Sequence, residues 1–225
     1  MAVVAWDVLL WFMWWYAKVM GAALLFAVPG QVVSRFVRAP SHGVSTVVTR
    51  VVLLLAYPAH AALSLGVTLF AWSAVCWWAP LFVDRDGNLP KWLRWYQTFD
   101  ASVDAGWSDA YYTGWLAETR IGRYISRVLW LCRNPAYGFD YALLGVAFAA
   151  SEWRVVKYVE TEDTALFFAV GRGFNFYYEG RWGRYKIGWK AWNRWGGTGW
   201  DAPNWAEYDR IPLCFTLNPF HRRPA

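Results

Sequence analysis

The chain of 225 residues is 57% hydrophobic and 20% aromatic, with 19 Trp, and only 17% of it is charged, against about 25% in soluble chains. On composition this excludes an ordinary water-soluble globule and predicts a membrane protein with an extramembrane part, in which Trp and Tyr settle at the membrane–water interface. The net charge of +6 comes without any long Lys/Arg block, which suits an anionic lipid surface better than a nucleic acid.

The first predicted element is an apolar span over residues 8–28, "VLLWFMWWYAKVMGAALLFAV", about the length that crosses a bilayer. Lys18 is its one charge, and its long stem can snorkel. Pro29-Gly30 is expected to end it. Residues 31–50 read as a polar, basic connection with Arg35, Arg38 and Arg50. A second span is predicted over 51–79. It carries Pro58 and His60 and closes on "WSAVCWWAP", where Trp77 and Trp78 mark the interface. Arg35, Arg38 and Arg50 on one side of this span balance Arg85, Lys91 and Arg94 on the other, so the positive-inside rule leaves the orientation open.

"DRDGN", residues 84–88, begins like a calcium loop. Leu89 and Trp95 stand where an EF-hand needs Gly and Glu, so a turn is expected. Pro90 then opens a short surface helix, with Trp92 and Trp95 beside Lys91 and Arg94. Residues 98–115 lack periodicity and read as a loop. Residues 116–132 form the best amphipathic helix: Ile121, Ile125, Val128, Leu129 and Cys132 keep the 3.6-residue period. Arg120, Arg123 and Arg127 make a stripe at spacings of three and four, suited to anionic headgroups or to solvent. Asn134-Pro135 stops the helix, Gly138 lets the chain turn, and Tyr137 offers a ring to an interface.

From residue 151 the texture is that of strands. "EWRVVKYV", "TALFFAV", "FNFYY", "RYKIGW" and "IPLCFTLNPF" are short aromatic and β-branched runs separated by turn signals. They predict an antiparallel meander, with "WNRWGGTGWDAPNW" as a loop. The expected fold class is therefore membrane α+β: a two-helix transmembrane hairpin over residues 1–80, interfacial amphipathic helices over 81–150, and a small antiparallel β-rich domain over 151–225.

Chemistry is sparsely signalled. His60 and Lys18 are the intramembrane polar residues, and a titratable group there is a candidate relay; a neutral, hydrogen-bonded His is the plainer reading. Asp100, Asp104, Asp109 and Glu118 are not specifically paired and serve as turn formers and caps. "GRGFN" reads as a hairpin turn. His42 and His221 lie far from any nucleophile setting. Cys76, Cys132 and Cys214 have no metal-ligand spacing. A Cys132–Cys214 bridge would need an oxidising compartment, and buried free thiols are the alternative. No catalytic residue, metal or cofactor is expected.

Four stretches, "PLFVDRDGNLPKWLRWYQTFDASVDAGW", "RVLWLCRNPAYGFDYALLG", "GFNFYYEGRWGRYKIGWKAW" and "FTLNPF", resemble an uncharacterised, domain-of-unknown-function family of tailed-bacteriophage proteins. The resemblance covers residues 80–220. It implies a phage origin and action at the host envelope or in the virion, and it brings no reaction with it. The expected role is that of a non-enzymatic interaction protein at the host inner membrane. It would be held by anionic lipid through Arg120, Arg123, Arg127, Lys91 and Arg94, and bound to an unidentified host or phage protein. Oligomerisation stays open. A virion-associated or DNA-ejection protein is the alternative; a pore-forming lysis protein and a membrane-bound enzyme are weaker ones.

Overall fold

The structure is a computed structural model that describes residues 2–36, 44–105, 119–191 and 209–221. The start of the predicted arginine helix (116–118), Arg38, His42, Asp109, Glu118, the loop 192–205 and the later part of the loop 98–115 lie outside the described residues. The chain divides into two compact units, one of residues 1–63 with 145–225 and one of residues 64–144.

The first unit begins with helix α1, Ala2–Phe36. It does not stop at Pro29. A helical Pro loses one backbone donor and crowds the carbonyl four residues back, but here contact with helix α2 (Val44–Phe70) holds the turns beyond it. A Cβ on Gly30 would lie 2.8 Å from Ala56 Cβ and 2.9 Å from His60 Cε1, so only glycine permits this approach. His60 Nδ1 faces the Ala56 carbonyl at 2.9 Å and must carry the proton. Its Nε2 therefore accepts from the Gln31 amide at 3.1 Å. Residues 31–36 and 44–50, expected as a polar connection, are accordingly helical.

Both helices are long and apolar enough to cross a membrane, over Trp6–Val33 and Val47–Phe82. They differ in surroundings: 6% of the most apolar stretch of the first is buried, against 44% of the second. Trp11, Phe12, Leu25 and Phe26 stand in the open on α1.

The β-rich part is the predicted meander. Strands β2 (Arg154–Glu160), β3 (Ala165–Val170), β4 (Phe174–Gly180), β5 (Gly183–Trp189) and β7 (Leu213–Asn218) pair antiparallel in that order. The short β1 (Val146–Ala147) and β6 (Arg210–Ile211) pair separately. The period of two sorts the side chains by face. Register places Phe168, Phe176, Ile187 and Phe215 in one cross-strand row, and Phe167, Tyr177, Lys186 and Thr216 in the row on the opposite face. "GRGFN" is the β3–β4 turn, closed by Gly171 N–H to the Gly173 carbonyl at 2.9 Å.

The sheet is fastened to α2 by Tyr57. Its ring meets Phe174 at 5.1 Å and Trp189 at 5.5 Å. Its hydroxyl donates to the Cys214 carbonyl at 2.8 Å and accepts from Gly188 N–H at 2.9 Å. Arg50 Nε donates to the Gly171 carbonyl at 2.8 Å. Beside it the buried Arg172 pairs with Glu152 through one guanidinium edge, Nε and Nη2 each donating to a carboxylate oxygen. Desolvated charges of this kind persist only when paired and hydrogen-bonded.

In the second unit the helix runs on through a π turn (Ala71–Val75), Cys76–Trp78 and a 3-10 turn (Ala79–Phe82). Ala71, Val75, Cys76 and Ala79 pack with Leu89, Leu93, Val103, Trp130 and Leu131. The "DRDGN" turn is as expected: Asp84 Oδ1 accepts from the backbone of Asp86 and Asn88, and Gly87 takes φ +76, a conformation that costs glycine little. Lys91–Tyr96 forms a 3-10 helix. The arginine helix spans Arg120–Arg133 and ends at Asn134. Gly138 is not at a turn. It lies inside a short helix, Tyr137–Ala142, and a Cβ there would stand 2.2 Å from the Arg94 carbonyl oxygen. Close approach of two backbones, not backbone freedom, is what requires glycine. The three cysteines are free, and the neighbour of the Cys76 thiol is Cys132.

Candidate functional site

The arginine helix carries the strongest candidate. Thr119 caps it, its hydroxyl accepting from Gly122 N–H at 2.9 Å; a side-chain acceptor there satisfies a donor the helix leaves open. The spacing of three and four then sends Arg120, Arg123 and Arg127 to one side. Together with Thr119, Tyr124, Pro80 and Leu81 they line a cavity of about 450 Å³. Tyr124 donates its hydroxyl hydrogen to the Trp77 carbonyl, and the Trp72 indole donates to the Cys132 carbonyl at 2.8 Å. These two bonds lock the arginine helix to residues 72–77.

The arginines are not equivalent. Arg127 makes a two-pronged pair with Asp104, at 2.7 and 2.8 Å, and is half-buried. Arg120 and Arg123 are exposed at the mouth. Guanidinium forks match carboxylate and phosphate oxygens, and the N-terminus of a helix favours the same charge. With Pro80 and Leu81 as an apolar floor, the cavity can accept an anionic head on an apolar body. Of the predicted site residues it unites Arg120, Arg123 and Arg127. Pro80 and Leu81, which line the cavity, and Asp104, which pairs with Arg127, were not singled out as site residues, because nothing in a linear sequence brings residues 80 and 104 to the arginine helix.

Lys91 and Arg94 lie elsewhere. With Trp95, Asp100, Gly138 and Tyr141 among others they line a separate cavity of about 510 Å³. There Phe99 stacks on Tyr141 at 3.9 Å and meets Tyr137 at 5.2 Å. The side chain of Gln97 is spent on Leu89 N–H, Asn88 and the Ala101 carbonyl, so it shapes the wall instead of offering a ligand. Trp78 stacks on Trp92 at 6.0 Å, Trp77 is exposed, and Trp95 meets Phe139 at 6.1 Å. Lys18 is exposed on α1 with its ammonium 3.3 Å from the Trp14 ring centre, a cation–π contact. His60 is buried between Gln31, Ala56 and Trp189.

Two carboxyls are strongly perturbed. Burial pushes Asp140 up to about 8, and a hydrogen bond with Ser64 offsets only part of this; one of its oxygens, Oδ1, is buried without a hydrogen-bond partner. Glu179 is the reverse. Burial pushes it up, but hydrogen bonds from Tyr177 and Arg184, the Arg184 charge and a hydrogen bond with His221 together hold it at about 2. Arg184 Nη2 lies 2.6 Å and His221 Nε2 2.7 Å from Glu179 Oε1. This cluster ties β4 and β5 to the segment after β7. Among the described residues no group of three or more His, Cys, Asp or Glu is placed to hold a metal ion.

A model of the family of unknown function DUF7338 matches residues 49–225. The match takes in all of the 80–220 stretch and reaches upstream to α2, which the resemblance had left out. Neither the curated proteins nor the solved structures gave a match.

Proposed function

We propose that this chain, which belongs to the family of unknown function DUF7338, is a non-enzymatic integral membrane protein. Helix α1 anchors it in a bilayer, the arginine cavity takes anionic headgroups, and the aromatic sheet domain binds a protein partner. The observation that carries this reading is α1. It is apolar over 28 residues and almost wholly uncovered, and that much exposed apolar surface marks a lipid or protein interface. Lys18, midway along this stretch, lies over Trp14, whose ring gives its charge an aromatic partner.

The setting we propose, on the resemblance to tailed-phage proteins, is the inner membrane of an infected host; the virion is the competing setting. Alkaline carbonate extraction of cells expressing the full chain tests the anchor. The chain should stay with the membrane pellet, and release into the supernatant would overturn the reading. Mass spectrometry of washed virions against infected-cell membranes separates the two settings.

A further inference from the structure

We propose that Cys76 and Cys132 form a redox site, an inner and an outer thiol that a small external disulfide converts into one internal bridge. The proposal concerns the second unit alone and does not depend on the membrane reading above.

Nothing in the spacing of three cysteines says which two can meet; the fold decides it. Cys132 and Cys214 belong to different compact units, whereas Cys76 and Cys132 share one. The Cys76 thiol lies within hydrogen-bonding reach of the Cys132 thiol. Cys76 is wholly buried in the core of the unit, and the half-buried Cys132 packs against that core. Both are free thiols.

Local structure brings them together. The π turn Ala71–Val75 directly precedes Cys76, whose N–H is bonded to the Ala71 carbonyl. In an unbroken α-helix Cys76 would stand about 140° round the axis from Ala71. The wider turn narrows that angle, and Ala71, Val75 and Cys76 all enter one core. On the other side, the arginine helix is held at two points. The Trp72 indole donates to the Cys132 carbonyl at 2.8 Å, and Tyr124 donates its hydroxyl hydrogen to the Trp77 carbonyl. One of these bonds precedes Cys76 in the chain and the other follows it, so the helix is fixed in register at the thiol pair. Thiols already in reach of each other have about 2 Å left to close before an S–S bond forms.

Burial sets the order of the chemistry. Cys132 is the thiol that a small disulfide, RSSR, can reach. Its thiolate attacks one sulfur of RSSR, whose S–S bond breaks. A mixed disulfide forms on Cys132, and the departing RS⁻ takes up a proton in place of the one Cys132 gave up. Cys76 then loses its proton and attacks the Cys132 sulfur, expelling the second RSH. In sum two protein thiols are oxidised to one disulfide, and RSSR is reduced to two RSH. Cys76 has no exposed surface, so its route to the oxidant runs through Cys132.

The bridge would close a loop from residue 76 to residue 132, most of a unit that covers 64–144. A cross-link over a loop of that length restricts the unfolded chain strongly. It also ties the segment that leads to Pro80 and Leu81 to the helix that bears Arg120, Arg123 and Arg127, and these are the two walls of the arginine cavity. The redox state of the pair thus sets how firmly those walls are held.

The test is oxidation of the purified full chain in detergent with oxidised glutathione, followed by acid quenching, alkylation and tryptic mass spectrometry without reductant. Cleavage after Lys and Arg puts Cys76 in peptide 51–85, Cys132 in 128–133 and Cys214 in 211–222. The expected product joins 51–85 to 128–133, with loss of both thiols and no glutathione retained. Its thermal midpoint should rise, and should return to that of the reduced chain on adding dithiothreitol. Cys76→Ser should trap glutathione on Cys132, and Cys132→Ser should leave Cys76 unmodified. The proposal is overturned if the wild type keeps glutathione on Cys132, keeps both thiols free, or joins 128–133 to 211–222. Direct attachment of glutathione to Cys76 in Cys132→Ser would overturn the order of attack. A bridged chain with an unmoved midpoint would overturn the bracing of the unit. The wild-type measurements decide by themselves should either serine variant fail to fold.

Discussion

At the level of single residues, the positions that matter are those where one atom group decides whether two backbones can meet. Gly138 is the clearest. A methyl group there would fall 2.2 Å from the Arg94 carbonyl oxygen and 2.5 Å from that of Gln97, and backbone atoms cannot swing aside as a flexible side chain can. Gly138→Ala should therefore destabilise the chain by about 1–3 kcal/mol, the usual cost of overpacking. In detergent this is read as a lower thermal midpoint; an unchanged midpoint would show that the short helix can shift without cost. The sequence marked Gly138 as special but for the wrong reason. A glycine needed for its positive φ and one needed for its missing Cβ look alike in one dimension.

Among the elements, α2 organises the first unit, and Tyr57 is the bolt between helix and sheet. Its hydroxyl serves two backbone groups, the Cys214 carbonyl and Gly188 N–H, where neither has access to water. Tyr57→Phe keeps the ring contacts with Phe174 and Trp189 and strands both groups. A loss of about 1–3 kcal/mol is expected from an unsatisfied buried partner, measured as a lower denaturation midpoint. Faster amide exchange at Gly188 would place the loss at this junction. The strands were legible because aromatic and β-branched runs between turn signals have little freedom to do anything else. The helical course of residues 31–36 and 44–50 was not, because polar residues are ambivalent about helix and loop. In the first of these stretches it is the contact of Gly30 and Gln31 with Ala56 and His60 that decides.

For the whole molecule, the perturbed carboxyls predict how stability follows pH. Asp140 titrates at about 8 in the folded chain against an ordinary 3.8. Between those values the unfolded chain binds fewer protons than the folded one. The Asp140 contribution is thus complete below about pH 4, falls as pH rises, and is lost by about pH 8. Glu179, held at about 2 against an ordinary 4.5, contributes stability above about pH 4.5 that fades as pH falls towards 2. Denaturation midpoints of wild type and Asp140→Asn should therefore diverge with pH. The wild type should lose stability between pH 5 and 8 where the variant does not; parallel profiles would show that Asp140 is ionised at little cost.

Composition and periodicity by themselves determined that this chain has two apolar helices, an amphipathic helix with an arginine stripe, and an antiparallel meander. Each of these follows from repeats of two or 3.6 residues that need only neighbours in sequence. The arginine stripe was readable for the same reason; the cavity it lines was not, because Pro80 and Leu81 reach it only through packing. Tertiary structure alone decided that residues 1–63 and 145–225 form one unit, in which the second apolar helix is bonded to the sheet through Arg50 and Tyr57. Hydropathy counts how apolar a residue is, not what stands beside it. The same 36-residue stretch reads as apolar whether lipid or protein stands against it.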